Sequence, residues 1–187
     1  MRLIYFYNDK TMVPAVNGVD IGILQGETVG IVGESGCGKS VTSLSVMCLL
    51  KDTLGKIVGG SIQFNGKNLL FLSEEEIREI RGKEISMLFQ ESMTSLNPAF
   101  TIGEQIQEAV EIHLQYDKKK AKNHVIHMLK LVGIPRAEEI YHEYPYQLSG
   151  GMRQCVMIAM AMSCEPKLLI ADEPTTALDV TIRTQPI

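Results

Sequence analysis

Gly33-Glu-Ser-Gly-Cys-Gly-Lys39-Ser40 brings three glycines, a lysine and a hydroxyl together in the pattern G-x-x-x-x-G-K-[ST]. The chemistry this suits is phosphate binding. Glycines let successive backbone N–H groups turn inward around phosphate oxygens, and a helix starting at the end of the loop adds the positive end of its dipole. Lys39 is placed to reach β- and γ-phosphates, and Ser40 to offer its hydroxyl to Mg²⁺. The candidate cradle is therefore Gly33, Glu34, Ser35, Gly36, Cys37, Gly38, Lys39 and Ser40. A chance glycine-rich turn reproduces part of such a pattern, and rarely all of it between an apolar run and a helix start.

Asp172 and Glu173 close a second apolar run, Leu168-Leu-Ile-Ala-Asp172, before Pro174. A carboxylate at the C-terminal edge of a strand can hold Mg²⁺ through water, which makes Asp172 the candidate metal residue. Glu173 is then the candidate general base for a water attacking the γ-phosphate. Alone, an Asp-Glu pair before proline marks only a turn or helix start. Downstream of a phosphate loop it points to nucleotide hydrolysis.

A third group is Leu148-Ser149-Gly150-Gly151-Met152-Arg153-Gln154, which precedes a nearly all-apolar helix. Ser149 and the two glycines make a helix N-terminus with free N–H groups, a second anion site in the same chain. Were both sites to touch one nucleotide, the long helical stretch between them would be unnecessary. The economical arrangement is a head-to-tail dimer in which Ser149 closes on the other subunit's ATP. Ser-Gly-Gly by itself is weak, since such tripeptides commonly cap helices.

These groups need elements to hold them. Thr28 to Gly33 is a β-branched run ending in glycine and is expected to be a fully buried strand, as is Leu168 to Asp172. A helix is expected from Lys39 to about Leu50. Leu69 to Arg81 reads as helical after a Ser73 cap, and Glu84 to Gln90 as a strand. From Thr101 to about Glu143, Ile102, Ile106, Val110, Val125, Met128, Leu129 and Val132 recur at helical spacing, with a break near Gly133-Ile-Pro135. This region, about 100–160 with the helix after Ser149, is expected to be an inserted helical subdomain. The whole 187-residue chain is read as one nucleotide-binding domain.

Composition excludes several classes. The net charge of −4 and the lack of a long basic run argue against a nucleic-acid surface. Lys118, Lys119, Lys120 and Lys122 read as a solvated helix face. No apolar run reaches the roughly 20 residues needed to cross a bilayer, and the N-terminus lacks the pattern of a secretory signal, so a cytosolic chain is expected. Cys37, Cys48, Cys155 and Cys164 show no C-x-x-C spacing and are expected to be reduced, partly buried thiols. His124 and His127 stand one helical turn apart with no third ligand nearby, and read as a surface pair; His113 and His142 read likewise.

The sequence LSGGMRQ, lying between the phosphate loop and LLIADEP, is similar to the signature of ABC ATPases, and the resemblance covers almost the whole chain. The fold it implies is α/β: a P-loop NTPase core with a mainly parallel sheet, an N-terminal antiparallel β portion and an inserted α-helical subdomain. Gln90 resembles the glutamine that touches Mg²⁺ and senses the membrane subunit. Ser149, Gly150, Gly151 and Gln154 resemble the set that meets the partner's ATP. Ala177-Leu178-Asp179 resembles the loop crossing the dimer interface, with Asp179 facing the nucleotide. Phe6 is the choice for an aromatic stacked on adenine, with Tyr5 and Tyr7 as alternatives.

Finer wording, in Gly30 to Ser40, Phe89 to Pro98 and Gln147 to Ala161, resembles the oligopeptide, dipeptide and nickel importer branch. Cys155 departs from it where arginine is common, as does Lys51-Asp52-Thr53, where a proline-rich stretch is typical. The branch implies ATP and Mg²⁺ as cofactors. It also implies transmembrane permease subunits, a second ABC ATPase subunit and, indirectly, a solute-binding protein as partners, with the chain at the inner face of the cell membrane. Two other readings stay open at this point. One is a soluble ABC ATPase; the other is a nucleotide-binding module that does not turn over, since the family continues past Ile187 with further strands and a switch histidine.

Overall fold

The computed structural model describes residues 2–7, 11–50, 53, 55–89 and 95–173. The chain divides into two compact units, Met1–Ile77 and Arg78–Ile187.

In the first unit, β1 (Arg2–Tyr7) lies between β2 (Thr11–Asn17) and β3 (Gly55–Gly59), antiparallel to both. This is the expected antiparallel portion. Its register shifts once in each ladder, between Leu3 and Ile4 against β2 and between Arg2 and Leu3 against β3. Such bulges sharpen the twist of the sheet. Helix α1 (Lys39–Val46) follows the phosphate loop, and Val16 and Leu50 form a small core with Ala15, Val41, Leu44 and Ile57 packed on it. The helix begins where expected and stops four residues early. Cys48, at φ 52, turns the chain out of helical geometry.

A short hairpin, β4 (Gln63–Phe64) and β5 (Lys67–Asn68), turns at Asn65-Gly66, both with positive φ. Those are the dihedrals that a two-residue hairpin loop requires. Asn68 then caps a 3₁₀ turn, Leu69–Phe71, and Ser73 starts α2 (Glu74–Ile80). Ser73 Oγ accepts from the Glu76 amide at 3.3 Å while Glu76 accepts from the Ser73 amide at 2.8 Å, a reciprocal capping box.

One expectation fails here. Residues 28–33 form no strand: Val29, Ile31 and Val32 are 40%, 50% and 97% exposed. A buried parallel strand exists only when neighbours pair with it and layers cover both faces. Among the described residues none pairs with this run.

The second unit holds β6 (Ile85–Leu88) and β7 (Leu168–Ala171), paired in parallel from Ile85↔Leu168 to Leu88↔Ala171. Among the described residues this pair is the parallel part of the fold. β7 forms where a strand was expected, but it alternates between half-buried and exposed, so the expectation that it is fully buried fails; β6, expected only as a strand, is buried throughout.

The same unit holds α3 (Ile102–Leu114), α4 (Lys118–Leu131), α5 (Ala137–Ile140) and α6 (Gly150–Met162), of which α6 packs on β6, α3 and α4 pack on α6, and α5 packs on α4. Ile102, Ile106, Val110, Ala121, Val125, Leu129, Val156 and Ala159 are wholly buried in one core. Each large aliphatic among them contributes about 1.5–3 kcal/mol by leaving water. Gly133, at φ 79, ends α4 as a left-handed cap, the break that Gly133-Ile-Pro135 announced. A second break was not foreseen. Gln115, at φ 55, ends α3, and Asp117 caps α4 by accepting from the Lys119 and Lys120 amides.

Candidate functional site

The phosphate loop runs into α1 through Gly38, whose φ of 93 is left-handed and whose position admits no side chain. A β-carbon there would stand 2.6 Å from the Ala15 carbonyl oxygen on β2. Strand and loop are thus in backbone contact, which only glycine permits. Gly36, at φ 79, supplies the other left-handed turn, and the Cys37 amide donates to the Glu34 carbonyl at 3.3 Å. No side chain caps α1, so its first turn offers backbone N–H groups at the loop. Lys39 Nζ reaches back over the loop, donating to the carbonyls of Gly33 at 2.8 Å and Glu34 at 2.9 Å. Gly33 to Cys37 are exposed, and Gly38, Lys39 and Ser40 half-buried.

Thr42, to which the sequence reading gave no role, fixes this junction. Its hydroxyl donates to the Gly38 carbonyl at 2.8 Å, and its amide does so at 2.9 Å. The available signal was a hydroxyl residue one helical turn beyond the last glycine.

In the second unit, the Asp172 amide donates to the Leu88 carbonyl at 3.0 Å, extending the β6–β7 ladder and setting Asp172 at its C-terminal edge. Glu173 follows at φ 48, a left-handed conformation that costs a non-glycine residue about 1 kcal/mol or more. Both side chains are half-buried.

Ser149 is the N-cap of α6, in extended geometry, and its hydroxyl accepts from the Met152 amide at 3.3 Å. Arg153 pins the segment before it, donating to the carbonyls of Leu148 at 3.0 Å and Pro145 at 3.3 Å. Ser149 is exposed and Gly150 and Gly151 half-exposed, whereas Gln154 is only 8% exposed. Phe6 lies on β1 opposite Met12. Gln90 and Asp179 lie outside the described residues.

The expected surface pair of histidines holds only in part, since His124 is half-buried. His124 places a ring nitrogen 2.7 Å from the Ser163 carbonyl and its ring edge against Tyr116, while His127 is exposed. Cys48 and Cys164 are buried, Cys155 half-buried and Cys37 exposed, all as free thiols. Burial pushes the Cys155 and Cys164 thiols up. Among the described residues no helix is long and apolar enough to cross a membrane.

The first unit carries a glycine-rich loop entering a helix, and the second an acidic pair at the edge of a parallel strand pair and, earlier in its sequence, a serine-capped helix; these are the parts of a P-loop α/β nucleotide cassette. Residues 16–176 match the ABC transporter family, and the chain belongs to that family. It is 58% identical over 181 residues to the oligopeptide transport ATP-binding protein AppD of Bacillus subtilis, covering 97% of this chain and 55% of the relative. The dipeptide transport ATP-binding protein DppD of the same organism is 56% identical, with 92% and 52% covered. The chain spans about half the length of the curated relatives it matches. Among solved structures it resembles a dimeric ATP-binding cassette in a post-hydrolysis state bound to ADP and Pi. That match has a TM-score of 0.81 and 27% identity, covering 97% of this chain and 77% of the other. The α/β expectation is thereby met.

Proposed function

We propose that this chain is the ATP-binding, ATP-hydrolysing part of a subunit that energises an ABC importer of oligopeptides or dipeptides at the inner face of the cell membrane. The observation that carries the reading is the uncapped start of α1 behind a glycine with no room for a β-carbon, in a chain 58% identical to an oligopeptide transport ATP-binding protein.

The residues fit the nucleotide and its metal. Backbone N–H groups of the loop and the first turn of α1 suit phosphate oxygens, and Lys39 can exchange its two carbonyl partners for the β- and γ-phosphates. Ser40 and Asp172 carry the hydroxyl and carboxylate oxygens that Mg²⁺ prefers, with Gln90 as a further oxygen donor. Bound there, Mg²⁺ would neutralise charge on the phosphates. Glu173 takes the proton from the attacking water. Ser149, Gly150, Gly151, Gln154 and Asp179 meet the nucleotide of a second ATPase subunit in a head-to-tail dimer, and Phe6 stacks on adenine. Residues 100–160 act as a helical subdomain within one nucleotide-binding domain. The partners are transmembrane permease subunits and, through them, a solute-binding protein.

The test is a calorimetric titration with ATP-Mg. Lys39→Ala should remove most of the affinity, because loop N–H groups alone do not replace a point charge beside the phosphates. Unchanged binding by the variant would sink the assignment of this loop.

A further inference from the structure

Helix α4 opens with Lys118, Lys119 and Lys120 and has no acidic residue in its first turn. Helix N-termini favour anionic side chains and disfavour cations, so three lysines there oppose the helix that carries them. Asp117 offsets part of this as the N-cap, accepting from the Lys119 and Lys120 amides at 2.9 Å through one oxygen. Among the described residues, none of the three lysines has a carboxylate partner within ion-pair distance. Lys120 sits 3.5 Å over the Tyr116 ring, and Lys118, Lys119 and Lys120 are all exposed. Lys122, one turn on, contacts His142 and the Tyr141 ring and belongs to the packing.

The same end of the α3–α4 hairpin carries an apolar side chain in water. Ile112, in the last turn of α3, is 62% exposed. A tip that combines several lysines with one exposed aliphatic side chain has the composition that binds a bilayer interface: ammonium groups meet anionic headgroups while the apolar group enters the acyl boundary. Nucleic acid suits the tip less well, because the chain carries a net charge of −4 and the patch has no arginine to fork onto phosphate.

We infer that the α3–α4 hairpin tip, through Lys118, Lys119, Lys120 and Ile112, docks on the anionic phospholipid headgroups of the membrane surface. This rests on the reading of the chain as part of a membrane importer, yet it is measured independently of nucleotide. The experiment is co-sedimentation of the chain with phosphatidylglycerol-containing vesicles and with pure phosphatidylcholine vesicles, at low and high salt. Binding is expected only to the anionic vesicles, weakening with salt. K118Q/K119Q/K120Q should lower the partition coefficient by about 100-fold, at about fivefold per lysine, and Ile112→Gln should lower it severalfold. ATP-Mg titration of both variants should match the parent, which separates failure here from failure of the nucleotide reading. Equal binding to both vesicle types, or unaltered partition of the triple variant, would overturn the proposal. So would binding to RNA as tight as to anionic vesicles with Ile112→Gln without effect, which would make the tip a general polyanion patch.

Discussion

Gly103 lies directly beneath the ring of Tyr141: a β-carbon at position 103 would stand 2.5 Å from three ring carbons. The Gly103 amide also donates to the Tyr141 carbonyl at 2.8 Å, and the Tyr141 hydroxyl donates to Gln107 on the same helix. The second unit is therefore fastened at a point where α3 cannot carry a side chain. Gly103→Ala should destabilise the chain by roughly 1–3 kcal/mol, the usual cost of overpacking. Thermal melts of the two single variants and the double variant with Tyr141→Ala test this. The glycine substitution should cost less once the ring is gone, and strict additivity would show that the two residues do not press on each other.

At the phosphate loop, Gly38→Ala meets both a left-handed φ and the Ala15 carbonyl. Neither the strand nor the loop backbone yields cheaply, so the variant is expected to lose ATP-Mg affinity at least tenfold and stability by about 1–3 kcal/mol. Titration and melting on one preparation measure both. Full affinity would mean that the loop adapts without its glycine.

Ser149 separates two roles by choice of substitution. Ser149→Ala removes the cap of α6 and should cost about 1 kcal/mol of stability. Ser149→Arg should leave ATP binding to a single subunit nearly intact and abolish ATP-induced dimers in a Glu173→Gln background, as read by light scattering. Loss of single-subunit binding would refute the role across an interface.

His113 is partly buried beside Gly82, where a β-carbon would stand 2.9 Å from its Nε2. Burial lowers its pKa below the ordinary 6.5, opposed by Glu79 and aided by Lys83. The unfolded chain therefore takes the proton first as pH falls through about 6.5, and stability declines until the folded form is protonated too. His113→Gln should flatten that slope. The depressed carboxylates of Glu76 and Glu104, held down by their Ser73 and Thr101 partners, act lower, removing stability as pH falls below about 4.5. Denaturation midpoints between pH 5 and 8 would decide, and an identical slope in variant and parent would rule His113 out.

The sequence by itself determined what depends on local chemistry. Ser73, Ser149 and Gly133 act where their side chains or dihedrals demand, because caps and left-handed positions are set within a few residues. The apolar spacing from Ile102 to Leu129 likewise marked the faces that form the core. Tertiary structure decided what depends on distant partners. Val29, Ile31 and Val32 have the composition of a buried strand and yet stand exposed, since β structure exists only where another strand supplies hydrogen bonds and a layer supplies cover. β7 has the same composition and becomes a strand because β6 lies beside it. The need for glycine at 38 and at 103 has the same origin, for it is set by the Ala15 carbonyl and the Tyr141 ring, both remote in sequence.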